Sequence, residues 1–483
     1  MKTAGIIGGG LAGLAAGCAL ADAGFRVMLF ERRPYVGGRA SSYEHPGTGE
    51  VVDNCQHVLL GCCTNLIHFY DQLGVSDQIQ WFSDLTFIEP GGRASHLGSS
   101  VLPPPLHNLP AFLRSSSLSW MDKLAIARAL TAMMPMRSIP ADSGDSDENF
   151  LQWLQRHGQT ERSIERFWKV VLVSALNEDL EHTSVRYAVQ VFRESFLKSA
   201  EAGRMGVPRI PLSQLYGHAV DYIRAREGEV LLRCSVNTIG PGETAVRISS
   251  NAGEREFDYA VLAVPFHLAA GMLPSSVEAE SLKLMLGRFE SSPITGVHLW
   301  FDRPITDLPH AVLLDRTIQW MFHKTMFHQN GPRKEVAPEE MSQHGTEAAP
   351  SAEAKSYIEV VISSSKTLVE KSRQEILDLA MKELAEFFPA IKNAKLVKST
   401  VIKEVHATYS VRPGLDQYRP SAKTEWPRLF LSGDWTATGW PATMEGAVRS
   451  GYLAAEAITE SAGESKKFAV PDMKAKGLMR LFG

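Results

Sequence analysis

Residues 3–31 have the sequence TAGIIGGGLAGLAAGCALADAGFRVMLFE, which decides the fold. The run from residue 3 to residue 7 is short and apolar, as in a buried strand, and an alanine- and leucine-rich segment follows it to about Ala23. Three glycines separate the two segments in the spacing G-x-G-x-x-G: Gly8, Gly10 and Gly13. The stretch therefore predicts a strand, a tight turn and a helix in succession.

This glycine spacing is that of a dinucleotide-binding turn. The first glycine permits the turn, the second lets the backbone approach a pyrophosphate, and the third lets the helix pack closely against the strand. The helix N-terminus then faces the phosphate charge. The next apolar run, from Phe25 to Phe30, predicts a second strand ending at Glu31, whose carboxylate is placed to accept both hydroxyls of an adenosine ribose. An acid here favours an unphosphorylated ribose over that of NADP.

The composition of the whole chain is that of an ordinary globular protein. Of its 483 residues 44% are hydrophobic and 22% are charged, and 50 basic against 54 acidic residues give a formal net charge of −4. These values exclude a disordered or collagen-like chain, and they exclude nucleic-acid binding through bulk positive charge. Because five cysteines are too few for disulfide bonds to stabilise a chain of this length, we expect a reducing compartment and a cytoplasmic protein.

The N-terminus imitates a secretory signal, because Lys2 precedes a small and apolar run that ends at Cys18. Glycines between residues 5 and 13 disfavour the helix that such a signal requires, and the run continues into the second strand. No stretch reaches the roughly 18 to 20 apolar residues needed to cross a bilayer. We therefore predict neither secretion nor a membrane span, and contact with a membrane surface stays open.

Two further motifs identify the nucleotide as a flavin. Residues 31–40, ERRPYVGGRA, resemble the extended fingerprint of the flavin amine oxidase and carotenoid desaturase superfamily, in which the paired glycines and the arginine lie beside the FAD pyrophosphate. Residues 429–435, LFLSGDW, and residues 439–447, GWPATMEGA, resemble the second flavin motif of that superfamily. There the acid hydrogen-bonds the ribityl and pyrophosphate region, and a helix N-terminus addresses the flavin C2 carbonyl. The resemblance implies FAD as the cofactor.

The same resemblance implies a set of FAD contacts. In the superfamily the strand corresponding to residues 233–239 passes the adenine, and Val236 is the position whose backbone meets it; the alternative is a core valine. The implied contacts are Gly8, Gly10, Leu11, Ala12, Gly13, Glu31, Arg32, Gly38, Arg39, Ala40, Val236, Gly433, Asp434, Thr443, Met444 and Ala447.

The patterns along the chain predict an α/β fold: a Rossmann-type FAD-binding domain of the two-dinucleotide-binding-domain kind, with an inserted substrate domain of mixed sheet and helices. Ser119 and Asp122 mark a helix start within the helical segment, which we place on the substrate or membrane side. In chain order the segments are FAD-binding 1–90, helical 91–205, FAD-binding 206–275, substrate sheet 276–405 with an exposed loop at 331–356, FAD-binding 406–465 and a basic amphipathic tail 466–483.

Beyond the fingerprints, four stretches resemble the bacterial squalene-associated FAD-dependent desaturases, also called hydroxysqualene dehydroxylases. They are residues 52–57 (VDNCQH), 176–177 (LN), 410–414 (SVRPG) and 433–451 (GDWTATGWPATMEGAVRSG). The resemblance covers most of the chain except the loop at 331–356 and the tail. It implies that hydroxysqualene loses its hydroxyl group and receives a hydride from reduced FAD, which gives squalene. Many relatives have glycine at the position of Cys55, so the local backbone shape is expected to differ.

This chemistry needs an acid, because an allylic alcohol leaves poorly as hydroxide, and it needs an apolar pocket that excludes water. Asp53 and His57 lie in a polar island of an otherwise apolar run. We predict that His57, oriented by Asp53, donates the proton; the alternative is a structural histidine or a flavin contact. Five aromatic residues predict either the floor of the pocket or core packing: Trp300, Phe301, Trp320, Phe322 and Phe327.

The sequence gives no support to a metal site or to hydrolase chemistry, and its C-terminal tail is basic. The cysteines and histidines near residue 60 match no metal-ligand spacing, so we predict no metal site, and no G-x-S-x-G motif supports a hydrolase. The tail carries five basic residues against one acidic residue, interleaved with apolar ones. An anionic membrane surface would attract it, which suits a practically insoluble triterpene; a solvated terminus is the alternative.

The expected partners are the triterpene substrate, an electron donor that the sequence does not identify, and upstream enzymes of the squalene pathway. A carotenoid desaturase or isomerase shares FAD and a polyene substrate and is the nearest alternative. An amine oxidase has less support, because Trp435 and Trp440 stand where a paired-tyrosine cage would be. The alternative from another class is a non-catalytic, FAD-bound assembly partner of prenyl-synthase enzymes.

Overall fold

The computed structural model describes residues 1–136, 148–274, 276–327 and 354–482. Its strands are β1 Thr3–Ile7, β2 Arg26–Phe30, β3 Ser42–Glu44, β4 Val51–Asp53, β5 Leu59–Leu60, β6 Ile79–Phe82, β7 Asp84–Ile88, β8 Ala94–Gly98, β9 Met205–Pro208, β10 Glu229–Leu231, β11 Val236–Pro241, β12 Val246–Ser250, β13 Gly253–Phe257, β14 Tyr259–Leu262, β15 Ser291–Phe301, β16 His310–Leu313, β17 Trp320–His323, β18 Ser356–Ser363, β19 Leu396–Tyr409 and β20 Leu429–Leu431.

The α-helices of the described residues are α1 Leu11–Asp22, α2 Thr64–Leu73, α3 Leu109–Arg114, α4 Trp120–Met133, α5 Phe150–Arg156, α6 Glu161–Ser163, α7 Lys169–Leu176, α8 Val185–Val191, α9 Leu212–Arg224, α10 Phe266–Met272, α11 Val277–Leu286, α12 Lys324–Phe327, α13 Arg373–Phe387 and α14 Met444–Ser461. Two π-helical turns extend this set, at Ile164–Trp168 and Phe192–Leu197. The 3₁₀ turns are Ser76–Gln78, Leu106–Asn108, Lys366–Leu368, Pro389–Asn393, Asp416–Tyr418 and Gly477–Leu481.

A five-stranded parallel sheet forms the nucleotide-binding core. Its order, β10-β2-β1-β14-β20, places the first strand at the centre, as in Rossmann sheets, where the chain reverses its direction of winding. The strands come from three segments that are far apart in the sequence. The sheet is therefore complete only when β20, from the C-terminal part of the chain, pairs with β14. The predicted α/β class and the predicted strands β1 and β2 are confirmed.

Small residues explain why α1 packs so closely against its neighbours. A Cβ atom added at Gly451 of α14 would lie 2.4 Å from the carbonyl oxygen of Ala12, and one added at Gly17 would lie 2.9 Å from a side-chain atom of Ile223 in α9. All residues of α1 except Asp22 are buried. The alanine and glycine content of residues 11–21 therefore lets two helices approach the α1 backbone.

The strand predicted at residues 233–239 has different bounds in the structure. The chain leaves the parallel sheet after β10, passes Arg233 with φ of +53°, and begins β11 at Val236. β11 belongs to a separate antiparallel sheet with β12 and β13. The left-handed backbone at Arg233 separates the two strands, so this short stretch supplies strands of two different sheets.

A seven-stranded mixed sheet, in the order β19-β15-β18-β17-β16-β7-β8, forms the second body. The helix α13 packs on it, and begins with a capping box in which Ser372 and Glu375 bond each other's backbone N–H groups. Most of the loop predicted at residues 331–356 lies outside the described residues. Its last residue, Ser356, is not loop but begins β18.

The helical segment between the two bodies contains α3 to α8. Ser119 and Asp122 form the predicted capping box of α4, with Ser119 Oγ accepting from the Asp122 N–H at 3.2 Å. This predicted helix start is confirmed. No helix of the described residues is long and apolar enough to cross a membrane.

The tail lies against the body and is not a frayed terminus. The N–H groups of Phe468 and Ala469 donate to Glu456 Oε1 at 2.9 and 3.0 Å. Further along, the Leu478 N–H donates to the Pro104 carbonyl at 2.8 Å, and Met479 is buried. The tail is therefore attached to the body at these points, whereas many of its other residues are exposed to solvent.

Candidate active site

One large cavity, of about 900 Å³, extends from the β1–α1 turn to the seven-stranded sheet. Glycines and charged side chains of the nucleotide-binding body line one end, and apolar side chains line the other. The volume is at the upper end of the range for cofactor and ligand sites. The two ends form one space, so a cofactor held at the charged end would share the cavity with a molecule in the apolar end.

The turn at the charged end is shaped by contacts that exclude side chains. A Cβ atom at Gly8, whose φ is +112°, would lie 2.5 Å from the Ala263 carbonyl oxygen, and one at Gly13 would lie 2.0 Å from the Gly8 carbonyl oxygen. At Gly10 the nearest atom would be Gly38 Cα, at 3.8 Å. Gly8 and Gly13 are therefore required by the fold, whereas Gly10 leaves open space at the cavity.

Glu31 is fixed at the end of β2. Its Oε2 atom accepts from the Gly9 N–H at 2.7 Å, and its Oε1 atom accepts from the Arg33 N–H at 2.8 Å. The carboxylate is buried and lines the cavity. Two backbone donors thus orient the carboxyl group, and each oxygen keeps a lone pair for a ribose hydroxyl.

Arg39 and Asp434 join the two sequence motifs across the cavity. Arg39 Nη2 lies 2.5 Å from Asp434 Oδ1, and Arg39 Nη1 donates to the Ala407 carbonyl at 3.1 Å. The helix α14 begins nearby with Thr443 as its N-cap, whose Oγ1 accepts from the Gly446 N–H. An arginine and a helix N-terminus that face one space are suited to an anionic group.

Fifteen of the sixteen residues that the sequence analysis gave as FAD contacts line this cavity. The exception is Gly13, which packs α1 against the turn. Val236, for which core packing was the alternative, lies on the cavity wall beside Cys234 and Ser235.

The sequence analysis missed several titratable residues of the cavity wall, among them His267, Glu404 and His406. The two on β19 lie at an irregularity of the ladder, where Ser292 pairs with Thr408 and Ile294 pairs with Glu404. Three residues of β19 therefore oppose Pro293 alone, and such a bulge redirects side chains. Pro293, which lacks an N–H, is the local signal that could have indicated it.

His57 also lines the cavity. Its Nδ1 atom lies 2.7 Å from the Cys55 carbonyl oxygen, so Nδ1 carries a proton and donates it there. Burial lowers the pKa of His57 below its ordinary value of 6.5, and the charge of Asp53 opposes this shift. At neutral pH the ring is therefore mostly uncharged with Nε2 unprotonated, and a second proton enters at lower pH.

Asp53 lies behind the cavity wall in a buried ion pair. Lys324 Nζ lies 2.7 Å from Asp53 Oδ2 and 2.7 Å from Gln56 Oε1, while Ser42 Oγ donates to Asp53 Oδ1 at 2.5 Å. The ring of His57 is thus oriented by the Cys55 carbonyl, and Asp53 acts on it through charge.

Glu359 extends the buried cluster. Its Oε2 atom lies 3.5 Å from Lys324 Nζ, and among the described residues neither carboxyl oxygen has a hydrogen-bond partner. Burial raises the pKa of Glu359 to about 7, although Lys324 opposes the shift. The cluster thus holds a carboxyl group that titrates near neutrality beneath the segment carrying His57.

Apolar side chains form the other end of the cavity; they include Leu85, Phe87, Val170, Met205, Ile294 and Trp320. Of the five aromatic residues considered for this floor, Trp320 lines the cavity, and its Nε1–H donates to Ser174 Oγ at 2.7 Å. The other four, Trp300, Phe301, Phe322 and Phe327, are buried away from the cavity. For those four the core alternative is correct.

Comparison with known proteins places this site in a family. The profile of the flavin-containing amine oxidoreductases matches residues 11–459. The chain belongs to the flavin-containing amine oxidoreductase family. FAD is therefore its cofactor, and the open space at Gly10, the fixed Glu31 carboxylate and the Arg39–Asp434 pair fit that group.

Carotenoid enzymes of this family resemble the chain over almost its whole length. The 15-cis-phytoene desaturase of Synechococcus elongatus is 28% identical over 473 residues, covering 94% of this chain and 95% of that protein. A probable zeta-carotene desaturase of the same organism is 28% identical over 484 residues, covering 94% and 98%.

Solved structures share the fold. An oxidoreductase from Methanosarcina mazei has a TM-score of 0.68 at 17% identity, covering 95% of this chain and 100% of its own. Cyclohexylamine oxidase from Brevibacterium oxydans has a TM-score of 0.64 at 19% identity, covering 96% and 99%. These likenesses confirm the predicted architecture of a flavin domain with an inserted substrate domain.

Proposed function

We propose that this flavoprotein removes the hydroxyl group of hydroxysqualene reductively and releases squalene. The observation that carries the proposal is the continuous cavity in which the FAD-binding wall opens into an apolar chamber. His57 lies on the wall of this cavity. An apolar chamber suits a triterpene, and its opening onto the FAD site suits a reaction at the flavin. The sequence stretches at 52–57 and 433–451 favour the dehydroxylase within this family.

The residues of the chamber supply the acid and exclude water. The doubly protonated ring of His57 donates its Nε2 proton to the leaving hydroxyl, the C–O bond breaks, and the hydroxyl leaves as water. Apolar walls keep bulk water from the allylic cation, and the faces of Phe87 and Trp320 stabilise its charge. Reduced FAD, when bound, supplies the hydride that completes the new C–H bond.

A carotenoid desaturase is the second candidate function. It is favoured by the 28% identity to 15-cis-phytoene desaturase over 94% of the chain. Such an enzyme uses the same apolar chamber but oxidises its substrate, so it needs oxidised FAD at the start and no proton donor to a hydroxyl. The direction of electron flow therefore separates the two candidates.

The deciding experiment is anaerobic incubation of the photoreduced holoenzyme with hydroxysqualene. We expect flavin reoxidation in step with the appearance of squalene, followed by absorbance and mass spectrometry. Oxidised holoenzyme with phytoene is the parallel reaction. Desaturation of phytoene without formation of squalene would favour the desaturase over the dehydroxylase. No turnover of either substrate by FAD-loaded protein would favour the non-catalytic assembly partner.

We also propose that the chain docks on a membrane surface that delivers the substrate. Residues 99–136 contain one carboxylate, Asp122, and it is buried, whereas Trp120, Met121 and Leu124 on α4 are 66–71% exposed. The tail lies beside this segment, where Leu478 meets Pro104 and Leu481 is 80% exposed. An apolar surface with few acidic groups suits an anionic bilayer.

The remaining partners are proposed on chemical grounds. An insoluble substrate is passed most directly from the enzyme that makes it, so we propose contact with the upstream enzymes of squalene synthesis. Each turnover of the dehydroxylase leaves oxidised FAD, so a reductant must restore it, and its identity is open to a search with candidate donors under anaerobic conditions.

A further inference from the structure

Two histidines stack on each other in the wall of the FAD-binding end of the cavity. The rings of His267 and His406 have centroids 4.2 Å apart and an interplanar angle of 24°. His267 lies on α10, which follows β14, and His406 lies in the β19 bulge. Residues 139 positions apart are thus brought face to face in the cavity wall by the β19 bulge and by the start of α10 after β14.

The surroundings of the pair are those expected at the FAD diphosphate. Arg39, which bonds the backbone of Ala407 next to His406, also bonds Asp434. His267 faces the charges of Arg32, Arg39 and Asp434. Arg39 and Asp434 belong to the two flavin motifs, and the diphosphate of FAD carries two negative charges that suit such a wall.

In the chain alone, positive charge on His267 is unfavourable. Burial, the ring of His406 and the guanidinium groups of Arg39 and Arg32 lower the pKa of His267 to about 4. Asp434 opposes the shift, but its carboxylate is already paired with Arg39. His406 Nδ1 lies 2.7 Å from Ser291 Oγ, and Glu404 lies on the same strand and lines the cavity. Both rings are exposed to the cavity, so an anion there can reach them.

We propose that His267 and His406 form a proton-accepting pair for the FAD diphosphate, so that binding of FAD takes up about one proton near neutral pH. The negative diphosphate stabilises the charged ring and offsets the repulsion from Arg32 and Arg39. The stacked arrangement allows one charged ring and one neutral ring but disfavours two charged rings. FAD affinity is therefore linked to pH, independently of which substrate the enzyme uses.

The linkage has a defined sign. A group that binds protons more tightly in the complex makes the complex tighter at low pH and weaker as pH rises toward the pKa of the complex. Since the pKa of His267 in the free chain is about 4, the FAD dissociation constant is expected to rise across the pH range above that value. For one linked proton the limiting slope is about tenfold per pH unit.

The test is calorimetric titration of the full chain with FAD in buffers of different ionisation enthalpy, which counts protons directly. We expect uptake approaching one proton per FAD near pH 6.5, and a dissociation constant about tenfold or more higher at pH 8 than at pH 6. His267→Gln is expected to abolish most of the uptake and to reduce the pH dependence to about twofold or less. His406→Gln provides a second variant, and the exposed His218→Gln on α9 serves as the matched control, which should behave like wild type.

Two results would overturn the proposal. The first is zero proton uptake by the wild-type chain, which needs no variant to interpret. The second is unchanged uptake in both His267→Gln and His406→Gln, because the proton would then enter another group such as Glu404. Neither result depends on turnover, so neither bears on the proposed dehydroxylase activity.

Discussion

Lys324 Nζ lies 2.7 Å from Asp53 Oδ2, and both side chains are almost completely buried. Lys324 begins α12, directly after β17 of the seven-stranded sheet, whereas Asp53 ends β4 just before the segment that carries His57. The pair therefore fixes the His57 segment to the seven-stranded sheet. Gln56, which also accepts from Lys324, adds a second attachment.

Breaking this pair should destabilise the protein strongly. Lys324→Met leaves a buried carboxylate without its cation, which is expected to lower the free energy of unfolding by about 3–5 kcal/mol. Urea unfolding monitored by tryptophan fluorescence measures the change. Lys423→Met, which removes an exposed pair with Glu460, is the control and should cost about 1 kcal/mol or less. Equal effects of the two variants would contradict the structural role of Lys324.

Alanine substitutions at two glycines of the same motif should affect different properties: FAD affinity at Gly10 and stability at Gly13. Gly10→Ala adds a methyl group where the nearest atom is 3.8 Å away, so the fold should be retained, but the methyl group enters the space of the diphosphate. We expect FAD affinity to fall by about 10- to 100-fold. Gly13→Ala places a methyl group 2.0 Å from the Gly8 carbonyl oxygen and should lower stability by about 1–3 kcal/mol. Fluorescence titration with FAD and urea unfolding of both variants check the contrast, which fails if Gly10→Ala unfolds or binds FAD normally.

The part of this site that the sequence predicts is local in the chain. Gly8, Gly10 and Glu31 belong to one unit of strand, turn, helix and strand, so spacing alone defines their chemistry. Asp434 and Thr443 follow from a second local motif. Because backbone geometry links each of these residues to its neighbours in sequence, a pattern is sufficient to identify them.

The part that the sequence does not predict depends on register between distant segments. Lys324 and Asp53 are 271 positions apart, and nothing near either residue indicates the partner. His406 faces the cavity because of a bulge opposite Pro293, and the bounds of β11 depend on a left-handed residue at Arg233. For the same reason the pattern could not separate Trp320, on the cavity wall, from the buried aromatic residues around it.

The rate of the proposed dehydroxylation should depend on pH through His57. Because burial lowers the pKa of His57 below 6.5, the imidazolium is populated only at acid pH, and the single-turnover rate should rise as pH falls from about 7.5 to 5.5. His57→Ala should lower the rate by about 10²- to 10⁴-fold at acid pH and remove this dependence. Stopped-flow reoxidation of photoreduced enzyme by hydroxysqualene measures it, with the exposed His218→Ala as control. Near wild-type rates in both His57→Ala and Asp53→Asn would show that the proton comes from another group.

Membrane docking should depend on the exposed face of α4. Replacing Trp120 and Leu124 by serine removes two large apolar side chains from the acid-poor surface and should reduce binding to anionic liposomes by about tenfold or more. The matched control replaces Val277 and Leu284 of α11, which are 85% and 73% exposed, by serine. Co-sedimentation with liposomes of mixed neutral and anionic lipid measures both. Equal losses of liposome binding in the two variants would show that the effect comes from general surface hydrophobicity. No loss in the α4 variant would exclude this face as the docking surface.

Glu359 should make stability depend on pH in the direction opposite to an ordinary surface carboxylate. Its pKa in the folded protein is about 7, above the ordinary 4.5, so the folded state holds this proton more tightly than the unfolded state. The resulting stabilisation is present at low pH and is lost as pH rises from about 4.5 to about 7. Glu359→Gln keeps a neutral group of the same shape, so wild type should lose stability relative to this variant over that window, by up to about 1.4 kcal/mol per pH unit. Urea unfolding of both proteins at pH 5, 6, 7 and 8 measures the difference. A constant difference across the series would mean that Lys324 keeps Glu359 ionised throughout, and that the buried cluster is a permanent ion network without a titrating member.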